Sequence, residues 1–138
     1  MTTEDKQEIR KKKRVLIVDD ERDITNSFSL ALEDSGLFDV DTFNDPRIAL
    51  SNFEPNRYDL MLFDIKMPHM NGFELYDKIK KMDNNVKVCF ISAYDVDYNA
   101  LREQFPSLDI DCFIPKDVIR KPIEISKLLE RLEIELLT

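Results

Sequence analysis

The chain of 138 residues has no tryptophan, only two glycines, two cysteines and one histidine. No apolar run approaches the roughly 18 residues that a membrane-spanning helix needs, so we expect no membrane association. Residues 1–12 are polar and lack the apolar segment of a secretory signal, and we expect them to form a flexible tail. The composition therefore predicts a cytoplasmic protein with one folded domain over residues 13–138.

The two cysteines, Cys89 and Cys112, each lie inside an apolar run of the sequence. They have no CxxC spacing, and the sequence offers no second set of soft metal ligands near them. We therefore expect both side chains to be buried, reduced thiols, as is usual for a cytoplasmic protein, with a disulfide or a metal-binding pair as the less favoured alternative.

The formal net charge is -8 at pH 7. A strongly acidic domain repels nucleic acid, and we expect no direct binding to it. The short basic cluster at residues 10–14 directly precedes the first apolar run, so we interpret it as a solvated lead-in.

Five apolar runs alternate with segments of helical periodicity along the chain. This alternation predicts a doubly wound α/β fold, with a parallel sheet between two layers of helices. The predicted strands are 15–18, 38–42, 60–64, 86–91 and 110–114. The predicted helices are 24–32, 46–53, 72–82, 98–105 and 125–136.

The third predicted strand runs through four apolar residues directly into Asp64. A carboxylate at the end of a buried strand is costly unless a cation meets it. Open α/β sheets bind their ligands at the carboxyl ends of their strands, which is the position of Asp64. The sequence therefore predicts a functional site around this side chain.

Other polar side chains follow the remaining strands and should reach the same edge of the sheet. Three neighbouring carboxylates repel one another unless a cation binds, and oxygen ligands favour Mg²⁺. A magnesium ion, a lysine and a hydroxyl together are suited to stabilising a phosphoryl group in transfer. The candidate residues are Asp19, Asp20, Asp64, Ser92 and one of Lys116 and Lys121.

Four segments of the chain, at residues 15–21, 64–72, 91–93 and 121–122, resemble the signature blocks of response-regulator receiver domains from two-component signalling. The resemblance covers about residues 13–138 and implies a flavodoxin-like (βα)5 fold with strand order 2-1-3-4-5. It implies a phosphoryl-accepting switch that promotes only its own phosphorylation and dephosphorylation. Since no effector domain follows residue 138, we expect a stand-alone receiver.

By this resemblance, Asp64 accepts a phosphoryl group from a phosphohistidine of a sensor histidine kinase or histidine phosphotransfer protein. Asp20 would bind Mg²⁺ directly, and Asp19 would assist through water. Asp64 and the backbone carbonyl of Lys66 would complete the metal ligands. Ser92 and a lysine would each contact a phosphoryl oxygen.

The resemblance further assigns Phe113 as the aromatic residue that responds to phosphorylation. The face made by helix four, strand five and helix five would then bind an unknown downstream protein or form a homodimer. Two positions that tune the lifetime of the phosphoryl group in the family correspond to Lys66 and Tyr94, and we expect their bulk to slow hydrolysis.

The sequence departs from the family pattern at the lysine. Lys121 is followed by proline, as in the family, and that peptide bond is expected to be cis. The span from Ser92 to Lys121 is longer than usual, however, whereas Lys116 lies three residues after Phe113. We favour Lys121, with Lys116 as the alternative.

Two other functions are weighed against the switch. A phosphatase of the haloacid-dehalogenase type needs a second acid two residues after the nucleophile, where this chain has Lys66. A receiver-like adaptor that binds proteins without phosphorylation would not need the acidic, hydroxyl and lysine side chains described above. His69, the only histidine, is expected to be a solvent-facing loop residue.

Overall fold

A computed structural model of the protein describes residues 12–93, 97–104, 106, 112–117 and 122–137. Its five parallel strands form one sheet in the order β2-β1-β3-β4-β5, which confirms the predicted flavodoxin-like (βα)5 arrangement. The strands are β1 (Lys13–Val18), β2 (Phe38–Phe43), β3 (Leu60–Asp64), β4 (Val88–Ser92) and β5 (Phe113–Pro115).

Five helices connect and flank these strands. Three of them begin at side-chain caps. Asp45 accepts a hydrogen bond from the Arg47 amide, Asn71 accepts one from the Glu74 amide, and Asp97 accepts one from the Ala100 amide. In the part of the chain that the structure describes, none of the helices is both long and apolar enough to cross a membrane. The helices are α1 (Arg22–Asp34), α2 (Pro46–Asn52), α3 (Gly72–Met82), α4 (Tyr98–Gln104) and α5 (Pro122–Leu137).

The sheet separates two apolar cores, because successive side chains of a strand point to opposite faces. On one face Met61 and Phe90 pack with residues of α2 and α3, such as Phe73. On the other face the core joins the sheet to α1 and α5, with Phe28 and Leu132 fully buried. Burial on both faces explains why β3 is apolar throughout until Asp64.

The edge strands differ from the predicted ones in length. β2 is half-exposed and lies at one edge, as its alternating sequence predicts. β5 lies at the other edge and has three residues, whereas we predicted a strand over 110–114. Residues 110 and 111 lie outside the described part, and Cys112 precedes the strand.

The expectation that the two cysteines are reduced thiols is wrong for this structure. Cys89 and Cys112 form a disulfide, with their Cα atoms 4.6 Å apart. β4 and β5 pair with Phe90 opposite Phe113, which places the preceding cysteines side by side on the same face of the sheet. The two cysteines have a sequence separation of 23, and only the strand register brings them together, so the sequence did not predict their proximity. Both are buried, as predicted.

Candidate functional site

Three carboxylates meet at the carboxyl ends of the two central strands. Asp19 directly follows β1 and Asp64 ends β3, and pairing of Val18 with Phe63 makes these ends neighbours. Asp19 is fully buried, Asp64 is 2% exposed, and Asp20 is exposed. One carboxylate oxygen of each residue lies within 4.8 Å of the others. The predicted convergence of Asp19, Asp20 and Asp64 is therefore present in the structure.

A lysine from the end of β5 points into this cluster. The Lys116 Nζ lies 3.2 Å from Asp64 Oδ2, 3.3 Å from Asp19 Oδ2 and 3.0 Å from Glu21 Oε1. The Lys116 side chain is 16% exposed, so its ion pairs with the buried Asp19 and Asp64 are largely shielded from water, whereas the Glu21 side chain is 59% exposed. Lys121, the lysine favoured from the sequence, lies outside the described residues, as does its peptide bond to Pro122.

The electrostatics of the cluster raise the pKa values of both buried carboxyls. Burial, and next the charge of Asp19, raises the pKa of Asp64 to about 8 despite the nearby Lys116. Burial likewise raises the pKa of Asp19, although the Glu21 amide and Lys116 oppose this shift. Burial alone would lower the pKa of Lys116, but its ion pairs with the carboxylates raise it. One lysine therefore does not balance the negative charge at this site.

The cluster fits a hard divalent cation. Asp19 Oδ2 is buried and receives no hydrogen bond among the described residues, since Lys116 approaches it at 3.3 Å without hydrogen-bond geometry. Asp19 Oδ1 already accepts the Glu21 amide at 2.9 Å, which fixes the orientation of the carboxylate. An oriented, desolvated carboxylate oxygen beside two further carboxylates is the ligand set that Mg²⁺ prefers.

The loop after β3 is held close to Asp64 by a glycine. The Gly72 amide donates a hydrogen bond to the Ile65 carbonyl at 3.0 Å. A Cβ atom at Gly72 would overlap the backbone carbonyl oxygen of Asp64, so any larger residue must displace this loop or the strand end. His69 in the same loop has a φ of 73°, a left-handed conformation that is unfavourable for most residues.

The remaining predicted site residues have the following positions. Ser92 is buried at the end of β4, two strands from Asp19, and pairs in register with Pro115. Lys66 is exposed in the loop after Asp64. The half-buried Phe113 ring lies 6.1 Å from that of Phe90, and Tyr94 lies outside the described residues.

Two residues that the sequence analysis did not assign also belong to the site. Glu21 forms an ion pair with Lys116, and its place directly after Asp19 and Asp20 was the available signal. The Asn44 side chain donates to the Asp19 carbonyl at 2.8 Å and to the Thr25 hydroxyl at 3.0 Å. Asn44 thus ties the end of β2 to the acidic loop, a contact with no sequence signal because it depends on strand order.

A shallow groove at the opposite end of the sheet does not compete with this site. It has a volume of about 460 Å³ and is lined by residues at the amino ends of the strands, such as Lys13 and Arg14 of β1 and Asp59 before β3. Its charges are of both signs, and Asp59 already accepts a hydrogen bond from the Arg14 amide. Among the described residues, the only clustered group of three or more metal-ligating side chains is the one around Asp64.

Comparison with known proteins agrees with this geometry. The family model for the response regulator receiver domain matches residues 15–133. The response regulator receiver protein CpdR of Brucella abortus is 28% identical over 123 residues, which cover 88% of this chain and 94% of CpdR. The transcriptional regulatory protein PrrA of Mycobacterium leprae is 41% identical over 80 residues, 58% of this chain. The match covers 34% of PrrA, so the matched part of this chain spans about a third of that relative.

Solved structures have the same fold. A CheY-like receiver domain protein from Methanospirillum hungatei superposes with a TM-score of 0.70 at 29% identity, covering 91% of this chain and 94% of that protein. TrrA from Thermotoga maritima, solved in complex with Mg²⁺ and BeF, has a TM-score of 0.69 at 28% identity. That match covers 89% of this chain and 98% of TrrA.

Proposed function

Because this chain belongs to the family of response regulator receiver domains, we propose that it is a phosphoryl-accepting switch in which Asp64 receives the phosphoryl group. Receiver domains are signalling switches that interact with sensor kinases and downstream effectors. The observation that carries the proposal is the buried Asp64 carboxylate, 3.2 Å from a lysine and within 4.8 Å of two further carboxylates. The adaptor function is not favoured, because binding alone would not require this costly arrangement.

In the proposed reaction, an Asp64 carboxylate oxygen forms a bond to phosphorus while the phosphorus–nitrogen bond of a phosphohistidine breaks. The freed imidazole nitrogen keeps the electron pair of that bond. Attack requires the ionised carboxylate, whereas the raised pKa of Asp64 keeps it protonated near neutral pH when no other cation is present. The site therefore gains reactivity when a second positive charge joins Lys116.

Asp19, Asp20, Asp64 and the backbone carbonyl of Lys66 would hold that charge as Mg²⁺. When bound, Mg²⁺ would neutralise the carboxylates and the charge that develops on the phosphoryl oxygens. The orphaned Asp19 Oδ2 supports this assignment.

We infer that Lys116, the alternative of the sequence analysis, pairs with one phosphoryl oxygen. Its Nζ contacts Asp64 directly. Its raised pKa keeps the side chain positively charged, which suits the stabilisation of a transferring phosphoryl group. Ser92, buried at the end of the neighbouring strand, would donate its hydroxyl hydrogen to another phosphoryl oxygen. Phe113, which directly follows the disulfide-bonded Cys112, would respond when Lys116 and Ser92 contact the phosphoryl group.

The proposed phosphodonor is a sensor histidine kinase or a histidine phosphotransfer protein in the cytoplasm. The output would be a changed face of α4, β5 and α5 that binds a downstream protein or a second copy of the chain. Lys66 and Tyr94 would restrict the approach of water to the aspartyl phosphate, so we expect its half-life to exceed a few seconds.

Incubation with Mg²⁺ and acetyl phosphate, followed by intact mass measurement, tests this function. The wild type should gain one phosphoryl group, and the gain should be absent in Asp64→Asn and after chelation of the metal. Lys116→Ala should reduce the yield strongly, while Lys127→Ala, an exposed lysine on α5, should not. No gain at any donor concentration would favour the adaptor instead.

A further inference from the structure

The disulfide lies close to the site in sequence and in the sheet. Cys89 is three residues before Ser92 on β4, and Cys112 is four residues before Lys116. Cys89 is fully buried and Cys112 is 3% exposed, in the core that also contains Ile114 of β5. The bond therefore joins the two strands that carry the hydroxyl and the lysine of the site.

The strand that carries Lys116 has few other constraints. β5 has three residues and lies at the edge of the sheet, so one of its sides has no neighbouring strand within the described part of the chain. The Phe90 amide donates to the Cys112 carbonyl at 2.8 Å, which starts the short ladder between β4 and β5. Short edge strands with few hydrogen bonds open more readily than central strands. A covalent bond at the first ladder position limits this opening.

We propose that Cys89–Cys112 is a reversible redox site whose oxidised form holds β5, and with it Lys116, against the carboxylate cluster. Reduction of the bond loosens this edge of the sheet and displaces Lys116 from Asp64. The predicted consequence for phosphorylation, a slower uptake by Asp64, rests on the function proposed above. The opening of β5 does not rest on it.

The reductant for this site is a dithiol. One dithiol thiolate attacks a sulfur of the disulfide, and the second then closes the dithiol into its own cyclic disulfide. Two electrons and two protons pass to the protein, which gains two thiols, and the dithiol is oxidised. Because both sulfurs are buried, the attack requires transient opening at the β5 edge, so reduction should be slow in the native protein.

The test compares oxidised and dithiothreitol-reduced wild type, and alkylation in denaturant followed by mass measurement establishes the redox state. The chain contains no other cysteine, so the dithiol has a single target. Hydrogen exchange of residues 112–117 and of the Phe90 amide should rise about tenfold or more on reduction, with β1 unchanged. Initial phosphoryl uptake from acetyl phosphate should fall at least about threefold, because the stabilising cation is displaced. Reoxidation should restore both values.

The variant Cys89→Ala/Cys112→Ala should show the reduced-form values with or without dithiothreitol. If this variant fails to fold, the comparison of oxidised and reduced wild type still tests the proposal. Equal exchange at β5 in the two forms would overturn the proposal, as would a purified protein with two thiols that do not oxidise. If hydrogen exchange at β5 changes on reduction but phosphoryl uptake is equal in the two forms, the proposed link to phosphorylation is overturned. Absence of phosphoryl uptake in both forms would instead count against the proposed function. The difference in hydrogen exchange at β5 would still test the redox site in that case.

Discussion

Replacing Asp64 by asparagine should stabilise the metal-free protein. The wild-type carboxyl is buried beside Asp19, which raises its pKa to about 8, whereas an unfolded aspartate has a pKa near 3.8. At pH 7 the fold must therefore keep a proton that the unfolded chain has released. Asparagine has nearly the same shape and carries no charge, so it removes this cost.

The magnitude follows from the difference between the two pKa values. Each unit corresponds to about 1.36 kcal/mol, and about three units lie between the unfolded pKa and pH 7. The penalty at pH 7 is thus up to about 4 kcal/mol, and we expect a gain of roughly 2–4 kcal/mol, since the asparagine side chain loses the ion pair with Lys116. Because the folded pKa is raised, the contribution of Asp64 to wild-type stability is most favourable below about pH 4 and becomes less favourable until about pH 8. The advantage of Asp64→Asn should therefore be small near pH 4 and level off above pH 8.

Urea unfolding in the presence of a chelator, followed by circular dichroism, measures this gain. Asp23→Asn, a change of the same chemistry at an exposed position of α1, should alter stability by no more than about 0.5 kcal/mol. Addition of Mg²⁺ should stabilise the wild type more than Asp64→Asn and so narrow the difference. Equal or lower stability of Asp64→Asn at pH 7 without metal would refute the claim that the raised pKa of the buried Asp64 carboxyl destabilises the fold.

Three further changes probe the loops around the site. Gly72→Ala should cost at least about 2 kcal/mol in thermal unfolding, since its Cβ overlaps the Asp64 carbonyl, and an unchanged melting temperature would contradict this. His69→Gly should add about 0.5 kcal/mol of stability by relieving the left-handed φ, without changing Mg²⁺ affinity, and a loss of stability would argue against strain at this position. Asn44→Ala should weaken Mg²⁺ binding about tenfold in calorimetry, because it frees the loop of Asp19, whereas unchanged affinity would rule out this positioning role.

Local patterns in the sequence were sufficient to predict the fold class, whereas the strand order was implied only by the resemblance to the family. The apolar run that ends in Asp64 and the acidic pair after β1 are short-range signals, and the parallel sheet brings them together.

Features that depend on strand register were not readable in the same way. The Cys89–Cys112 bond arises from the pairing of β4 with β5, and the sequence separation gave no sign of it. The position of Lys116 depended on where β5 ends, since Lys116 directly follows its last residue and contacts Asp64. The expected face of α4, β5 and α5 stays a prediction.

The most direct test of the proposed function is to locate the phosphoryl group on the chain. After incubation with Mg²⁺ and acetyl phosphate, borohydride reduces an aspartyl phosphate to homoserine, and peptide mass spectrometry identifies the modified position. We predict homoserine at position 64 and nowhere else, with none formed when the metal is chelated. Homoserine at the position of Asp19 or Asp20, or a wild-type chain that stays unmodified under every condition, would contradict the assignment of Asp64 as the phosphoryl acceptor.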